Sequence, residues 1–102
     1  MAFWKPIAIQ KTVTTAGTRV QASATSIFTP DVTVQALASN TGVIYVGDVT
    51  VSSTAGIALT AGQSVSFSIE PAGLGNDIDL SLVYLDSSVN GEKANVMYTK
   101  RA

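Results

Sequence analysis

Apolar and polar residues alternate along most of this chain, and this period of two restricts its fold more than any other feature. In residues 64–70, valine, phenylalanine and isoleucine alternate with serine and glutamate, and residues 32–39, 78–85 and 94–99 show similar alternation. Residues 43–46 form a continuous apolar run. Because successive side chains of a strand point to opposite faces, the alternation predicts half-buried strands, and the continuous run predicts a central strand buried on both faces. No segment has the apolar spacing of a helix.

Turn sequences separate the apolar runs. The Asn-Gly pair at 90–91 and the Gly-Asp pair at 47–48 predict hairpin turns, because asparagine and glycine suit the backbone angles of tight turns. Residues 61–63 predict a tight reversal, and residues 71–75 an irregular loop. About eight short strands result, spaced about 8–12 residues apart, as in sandwiches and jelly rolls. We therefore predict an all-β fold: a single-domain, jelly-roll-like β-sandwich.

The N-terminal residues differ from the rest, because Phe3 and Trp4 precede Pro6 before any clear strand pattern begins. Proline favours an extended conformation for the residue before it. We therefore predict an extended arm over residues 1–6 and the sandwich domain over residues 7–102. An aromatic pair on such an arm is suited to anchoring a partner; the alternative is that Trp4 folds back and covers one end of its own sandwich.

The charges are segregated along the chain. All six cations lie near the ends, outside residues 20–92, and all seven acidic residues lie between Asp31 and Glu92. Terminal strands of a sandwich often lie close together, which predicts a basic edge on an acidic body; the alternative is that the basic ends are simply solvated. Few aromatics accompany the cations, so the pattern does not predict nucleic-acid binding. The candidate partner-binding residues are Phe3, Trp4, Lys5, Lys11, Arg19, Lys100 and Arg101.

The composition argues against an enzyme. The chain has no histidine and no cysteine, which removes the commonest general base, nucleophile and transition-metal ligands. Asp77 and Asp79 lie on one side of a strand start, as in a calcium site, but short acidic residues commonly open a strand after a turn. We predict no catalytic residue, no metal and no cofactor. No apolar run approaches the ~20 residues of a membrane span, and no signal-peptide core is present, so synthesis in a host cytoplasm is expected.

Two stretches carry a resemblance to a known family. They are GVIYVGDVTVSSTAGIALTAGQSVSF and DLSLVYLDSSVNGEKANVMY, within residues 32–98. Together they resemble a group of small structural proteins of tailed bacteriophages. The family pattern has a strand ending Tyr-Val-Gly-Asp, a Ser/Thr-rich turn, an apolar-Leu strand, a Gly-containing reversal and a late apolar-Tyr strand. Ala61 stands where the family is expected to have proline. The matching positions are Tyr45–Asp48, Val51–Thr54, Gly56–Leu59, Ala61–Val65 and Leu82–Tyr84.

The resemblance implies a virion component on the capsid surface. Small β-sandwich decoration or cement proteins commonly assemble as homotrimers, so the expected partners are the major capsid protein and further copies of this chain. We expect a decoration protein that stabilises the shell by bridging capsid subunits, with no membrane and no nucleic-acid partner. Two alternatives stay open: a carbohydrate- or receptor-binding module of a tail or fibre, and a ring component of a tail or connector.

Overall fold

A computed structural model describes residues 4–68 and 77–101, except for the side chains of Trp4 and Arg101. The described part contains ten β-strands and one three-residue 3₁₀ turn at Leu80–Leu82. It contains no helix long and apolar enough to cross a membrane. The strands are β1 Trp4–Val13, β2 Val20–Gln21, β3 Phe28–Thr29, β4 Asp31–Ala36, β5 Ile44–Gly47, β6 Ile57–Leu59, β7 Ser64–Ser68, β8 Ile78–Asp79, β9 Tyr84–Ser87 and β10 Glu92–Arg101.

Eight of these strands form two four-stranded antiparallel sheets. Sheet A has the order β1-β10-β4-β7, and sheet B has the order β2-β9-β5-β6. The chain alternates between the two sheets except at β5 and β6, which are neighbours in sheet B, and this is the arrangement of a jelly roll. Strands β3 and β8 form a small separate sheet. The all-β sandwich predicted from the alternation is confirmed.

The core lies between sheets A and B and follows the period of two. In β4, Val32, Val34 and Ala36 are buried while the residues between them face outward. In β10, every second residue from Glu92 to Tyr98 is buried. The continuous apolar run of β5 lies between β9 and β6, inside sheet B as expected, but the predicted burial on both faces is wrong, because only Ile44 and Val46 are fully buried. The largest fully buried apolar side chains come from both sheets, the 3₁₀ turn and the loop between β5 and β6: Ile44, Leu80, Leu85, Val13, Val32, Val34, Val46, Val51 and Val96.

The tight hairpin turn predicted at 47–48 is wrong, although β5 and β6 pair as antiparallel neighbours across a longer loop, and the hairpin predicted at 90–91 is wrong. Strand β5 ends at Gly47, and nine residues separate it from β6, because the Asp48 carboxylate accepts hydrogen bonds from the Thr50 N–H at 2.9 Å and the Thr50 hydroxyl at 2.6 Å. This local turn continues the loop instead of reversing the chain. Gly91 has the positive φ of 80° that its turn requires, but the turn leads from sheet B to sheet A.

The segment 78–85 was expected to form one strand and forms three elements instead. The Asp79 carboxylate accepts hydrogen bonds from the Ser81 N–H at 3.0 Å and the Ser81 hydroxyl at 2.8 Å, and these bonds cap the 3₁₀ turn. The same hydrogen bonds lower the pKa of Asp79. The turn changes the direction of the side chains, so that Leu80 is fully buried whereas Leu82 is 66% exposed.

These two leucines provide a matched test of the core. Leu80→Ala removes a fully buried side chain and is expected to lower the free energy of unfolding by about 2–5 kcal/mol. Leu82→Ala, in the same turn, removes an exposed side chain and is expected to change it by less than about 0.5 kcal/mol. Urea unfolding followed by circular dichroism measures both. Equal losses would contradict the described turn.

The predicted boundary of the arm at residue 6 falls inside β1. Trp4, Lys5 and Pro6 pair with residues 101, 100 and 99, so they belong to sheet A. Pro6 is tolerated because β1 is an edge strand, where a missing N–H can face solvent. Residues 1–3 of the predicted arm lie outside the described residues.

A buried carboxylate fixes the start of β10. Glu92 is 7% exposed and accepts hydrogen bonds from the N–H groups of Thr41 at 2.8 Å and Gly42 at 2.6 Å, and from the Thr41 hydroxyl at 3.1 Å. Burial raises the pKa of Glu92, but these three hydrogen bonds outweigh it and the net pKa is lowered. A Cβ on Gly42 would lie 2.5 Å from the Ser88 hydroxyl, so any other residue there would displace the Ser88 side chain.

Glu92 therefore predicts a pH-dependent loss of stability. A lowered folded pKa means that its contribution is complete above its ordinary value of 4.5 and is lost as the pH falls through the lowered folded value. Glu92→Gln should reduce the free energy of unfolding at pH 7, and its difference from the wild type should shrink towards pH 3. Urea unfolding at several pH values measures this. A difference that stays constant with pH would contradict an ionised Glu92 in the folded state.

Candidate partner-binding surface

The first and last strands form a two-stranded ribbon that extends beyond the sheet. The pairing of β10 with β4 ends at Tyr98 and Val32, whereas its pairing with β1 continues to Trp4 and Arg101. Three further pairs of β1 and β10 therefore lie beyond the last pair of β10 and β4, on the side where β4 begins. We call residues 4–6 and 99–101 the ribbon tip.

The base of the ribbon tip is fixed by buried hydroxyl contacts. The Thr29 side chain, fully buried, donates a hydrogen bond to the Thr99 carbonyl oxygen at 2.9 Å. The Thr99 hydroxyl in turn donates to the Asp31 carboxylate at 2.8 Å. These bonds connect β10 to the small sheet and to the start of β4. They hold the ribbon in place beside the first residue of β4.

Two lysines lie side by side in the ribbon tip. Lys5 pairs directly with Lys100. Because proline has no N–H, the adjacent pair formed by Pro6 and Thr99 cannot exchange both backbone hydrogen bonds. The alternation of an antiparallel ladder then makes Lys5 and Lys100 a hydrogen-bonded pair, with Cα atoms about 5.5 Å apart. Directly opposed like charges destabilise a sheet, so this pair costs the folded chain some stability.

Neither ammonium group of this pair is compensated within the described part of the chain. Lys5 and Lys100 are both exposed. Neither side chain makes a hydrogen bond or an ion pair with the described residues. Arg101 follows Lys100 and pairs with Trp4, and its side chain is not among those that the structure describes. The ribbon tip therefore presents positive charge to solvent.

The other predicted cations lie elsewhere. Lys11 is half-buried near the opposite end of β1, where it pairs with Ala94. Arg19 lies in the loop after β1, close enough to Asp48 to contribute to its lowered pKa, whose main cause is the hydrogen bonding of Thr50. The structure thus brings together Lys5, Lys100 and the backbone of Arg101, but not Lys11 or Arg19. Phe3 lies outside the described residues.

The acidic side chains that the structure describes serve local structure. No group of three or more acidic, histidine or cysteine residues within 4–68 and 77–101 is placed to hold a metal ion. The carboxylate of Asp79 is engaged in the 3₁₀ turn, and that of Asp86 accepts hydrogen bonds from the N–H groups of Gly17 and Ser87. These acids stabilise turns and loops. Asp77 also has an interaction of its own.

The sequence did not single out two surfaces that the fold creates. On the outer face of sheet A, Met97 is 43% exposed at the centre of the sheet. On the outer face of sheet B, Tyr45 and Tyr84 lie diagonally on the neighbouring strands β5 and β9. Met97 stood at a polar position of the alternation, and this was the only sequence signal for the first surface. The second depends on the register of β5 with β9, which no local pattern reveals.

Comparisons with known proteins show the fold. No protein-family model matches the chain, and no curated protein matches it. The fold is similar to that of a chain in the solved structure of Bacillus endospore appendages, described as a novel family of disulfide-linked pili. The two chains are 18% identical, the match covers 96% of this chain and 88% of the other, and the TM-score is 0.51. At this identity the similarity shows the sandwich architecture and nothing about function.

Proposed function

We propose that this chain is a structural protein of a bacteriophage virion that binds the outer surface of the capsid and stabilises the shell. The ribbon tip is the proposed contact, and an acidic surface of the major capsid protein is the proposed partner. The single observation that carries this proposal is the uncompensated pair Lys5–Lys100. A pair that costs the free chain stability becomes favourable when an acidic partner lies opposite it.

Two further observations support a structural role. No group of three or more acidic, histidine or cysteine residues in the described part is placed to hold a metal ion, and the carboxylate of Asp79 is used within a turn. The similar endospore chain belongs to pili, which are assemblies of many copies. These 102 residues contain no cysteine, so a linkage by disulfides is not available to them. An assembly of this chain depends on non-covalent surfaces.

Binding to the capsid tests the ribbon tip. Capsids are purified from a phage lacking this gene and titrated with the protein, and occupancy is measured by co-sedimentation. Lys5→Gln combined with Lys100→Gln should weaken binding about three- to thirtyfold, because two exposed charge interactions of about 0.3–1 kcal/mol each are lost. The salt dependence of binding should also decrease.

A matched double variant serves as the control. Lys11→Gln combined with Arg19→Gln removes the same net charge from positions outside the ribbon tip, and it should bind like the wild type. Equal binding by the two double variants would contradict the proposal. Removing residues 1–3 leaves the pairing of β1 with β10 intact and tests Phe3 separately.

A carbohydrate-binding role is the second candidate, supported by the tyrosines of sheet B. Val46 and Leu85 face the core, so the neighbouring Tyr45 and Tyr84 face outward. Tyr45 pairs with Asp86 and Tyr84 with Gly47, which places the rings on a diagonal within aromatic contact distance. Paired aromatic rings are a suitable platform for a sugar face.

Titration with host-surface glycans tests this second candidate. If it is correct, the wild type binds and the double variant Tyr45→Ala/Tyr84→Ala loses about five- to 150-fold in affinity, as each ring contributes about 0.5–1.5 kcal/mol. Tyr98→Phe is the control, because Tyr98 is 8% exposed and belongs to the core. Absence of any glycan response in the wild type would exclude the role for the glycans tested.

A further inference from the structure

The outer face of sheet A carries charge only at its two ends. Lys93 and Asp31 are its only described charged side chains that face outward, on the neighbouring strands β10 and β4. Asp31 lies in the same row as Thr99, at the ribbon end, and Lys93 lies in the row of Thr12, at the opposite end. Lys93 makes no side-chain hydrogen bond or ion pair within the described part of the chain. The area between the two charges is uncharged.

Several polar side chains of this face are already hydrogen-bonded within the chain. The hydroxyls of Thr33 and Ser66 are hydrogen-bonded at 2.9 Å. The Gln35 amide donates to the Gly62 carbonyl oxygen at 3.3 Å, and the Thr99 hydroxyl donates to Asp31. Groups that are paired within the face lose little on removal from water. Serine, threonine and alanine also lose little side-chain entropy when they are covered.

Met97 projects from the centre of this face between two depressions. One, of about 360 Å³, lies towards the ribbon end and is bordered by Asp31 and Thr99. The other, of about 310 Å³, lies beyond Met97 and is bordered by Asn95 and Gln35. A flexible thioether side chain adapts well to an apolar contact of irregular shape. The face thus carries both a projection and a cavity next to it.

A two-fold axis makes the projecting Met97 of one copy complementary to a depression of a second copy. Met97 lies in the row of Thr33, and Asn95 lies in the next row. An axis in the plane of the face, across the strands and between these two rows, places Met97 of one copy over the depression beside Asn95 of the other. The same axis places the row of Asp31 over the row of Lys93. Adjacent strands are about 4.8 Å apart, so each Lys93 reaches the Asp31 of the other copy.

We propose that two copies of this chain pair through the outer faces of their A sheets. Met97 of each copy fills the depression beside Asn95 of the other, and two symmetric ion pairs form between Asp31 and Lys93. The strands of the two copies run in opposite directions, so the two ribbon tips point away from each other. A dimer then carries two basic tips, and, resting on the proposed function, this gives one particle two attachment points for neighbouring capsid subunits.

Charge exchange tests the pairing on the purified full chain, without capsids. Sedimentation equilibrium should give twice the 10.5 kDa mass of the chain for the wild type. Asp31→Lys and Lys93→Asp, each alone, place like charges opposite each other and should raise the dissociation constant at least tenfold. The double variant Asp31→Lys/Lys93→Asp should dimerise like the wild type. An equimolar mixture of the two single variants should form a heterodimer, because both of its ion pairs are then complementary.

Arg19→Asp is the matched control, since it reverses an exposed charge outside both the face and the ribbon tip and should leave dimerisation unchanged. A wild type that stays monomeric, a mass of three chains, or single variants that dimerise as tightly as the wild type would each overturn the pairing. Circular dichroism establishes that every variant is folded. A dimer that fails to bind capsids would refute only the proposed function, and a monomer that binds them through the ribbon tip would refute only the pairing.

Discussion

The pairing of β1 with β10 is the interaction on which the rest of the structure depends. It joins the first ten described residues to the last ten in one unbroken register, from Trp4 and Arg101 to Val13 and Glu92. Without it β1 would have no partner in sheet A, because β10 is the strand that joins β1 to β4. Closing so long a loop costs only slightly more than closing a loop half as long, but it slows folding. The pairing brings Lys5 and Lys100, from opposite ends of the sequence, side by side at one end of the sheet.

The ribbon tip lies outside the buried core, and this explains why an unfavourable lysine pair is tolerated. The buried part of β10 ends at Tyr98, and the bonds of Thr29 to Thr99 fix the strand just beyond it. Lys5 and Lys100 lie outside this anchored region and are exposed. Their repulsion is reduced by solvent and salt. The surface can therefore favour a partner at only a small cost to the stability of the fold that presents it.

The sequence predicted what depends on local pattern and missed what depends on register. Alternation identified β4, β7 and β10 and the fold class, because burial of every second residue defines both. The segment around Leu80 broke the rule, since the capping bonds of Asp79 overcame its apolar pattern. Of the site, the basic ends were predicted, but Lys11 and Arg19 could not be separated from Lys5 and Lys100. That distinction requires knowing where the pairing of β10 with β4 stops, and this depends on residues far apart in the sequence.

The two proposed contacts use the same strands but opposite physical principles. At the ribbon tip, charges without partners favour a partner of different composition, namely an acidic one. On the outer face of sheet A, polar groups are satisfied and the opposite charges of Asp31 and Lys93 lie at opposite ends, a distribution that a copy of the same chain complements. Repulsion between the tips favours the arrangement in which they point apart, which is the two-fold arrangement of the face. The charges of the ribbon therefore disfavour the parallel stacking of copies that would bring their tips together.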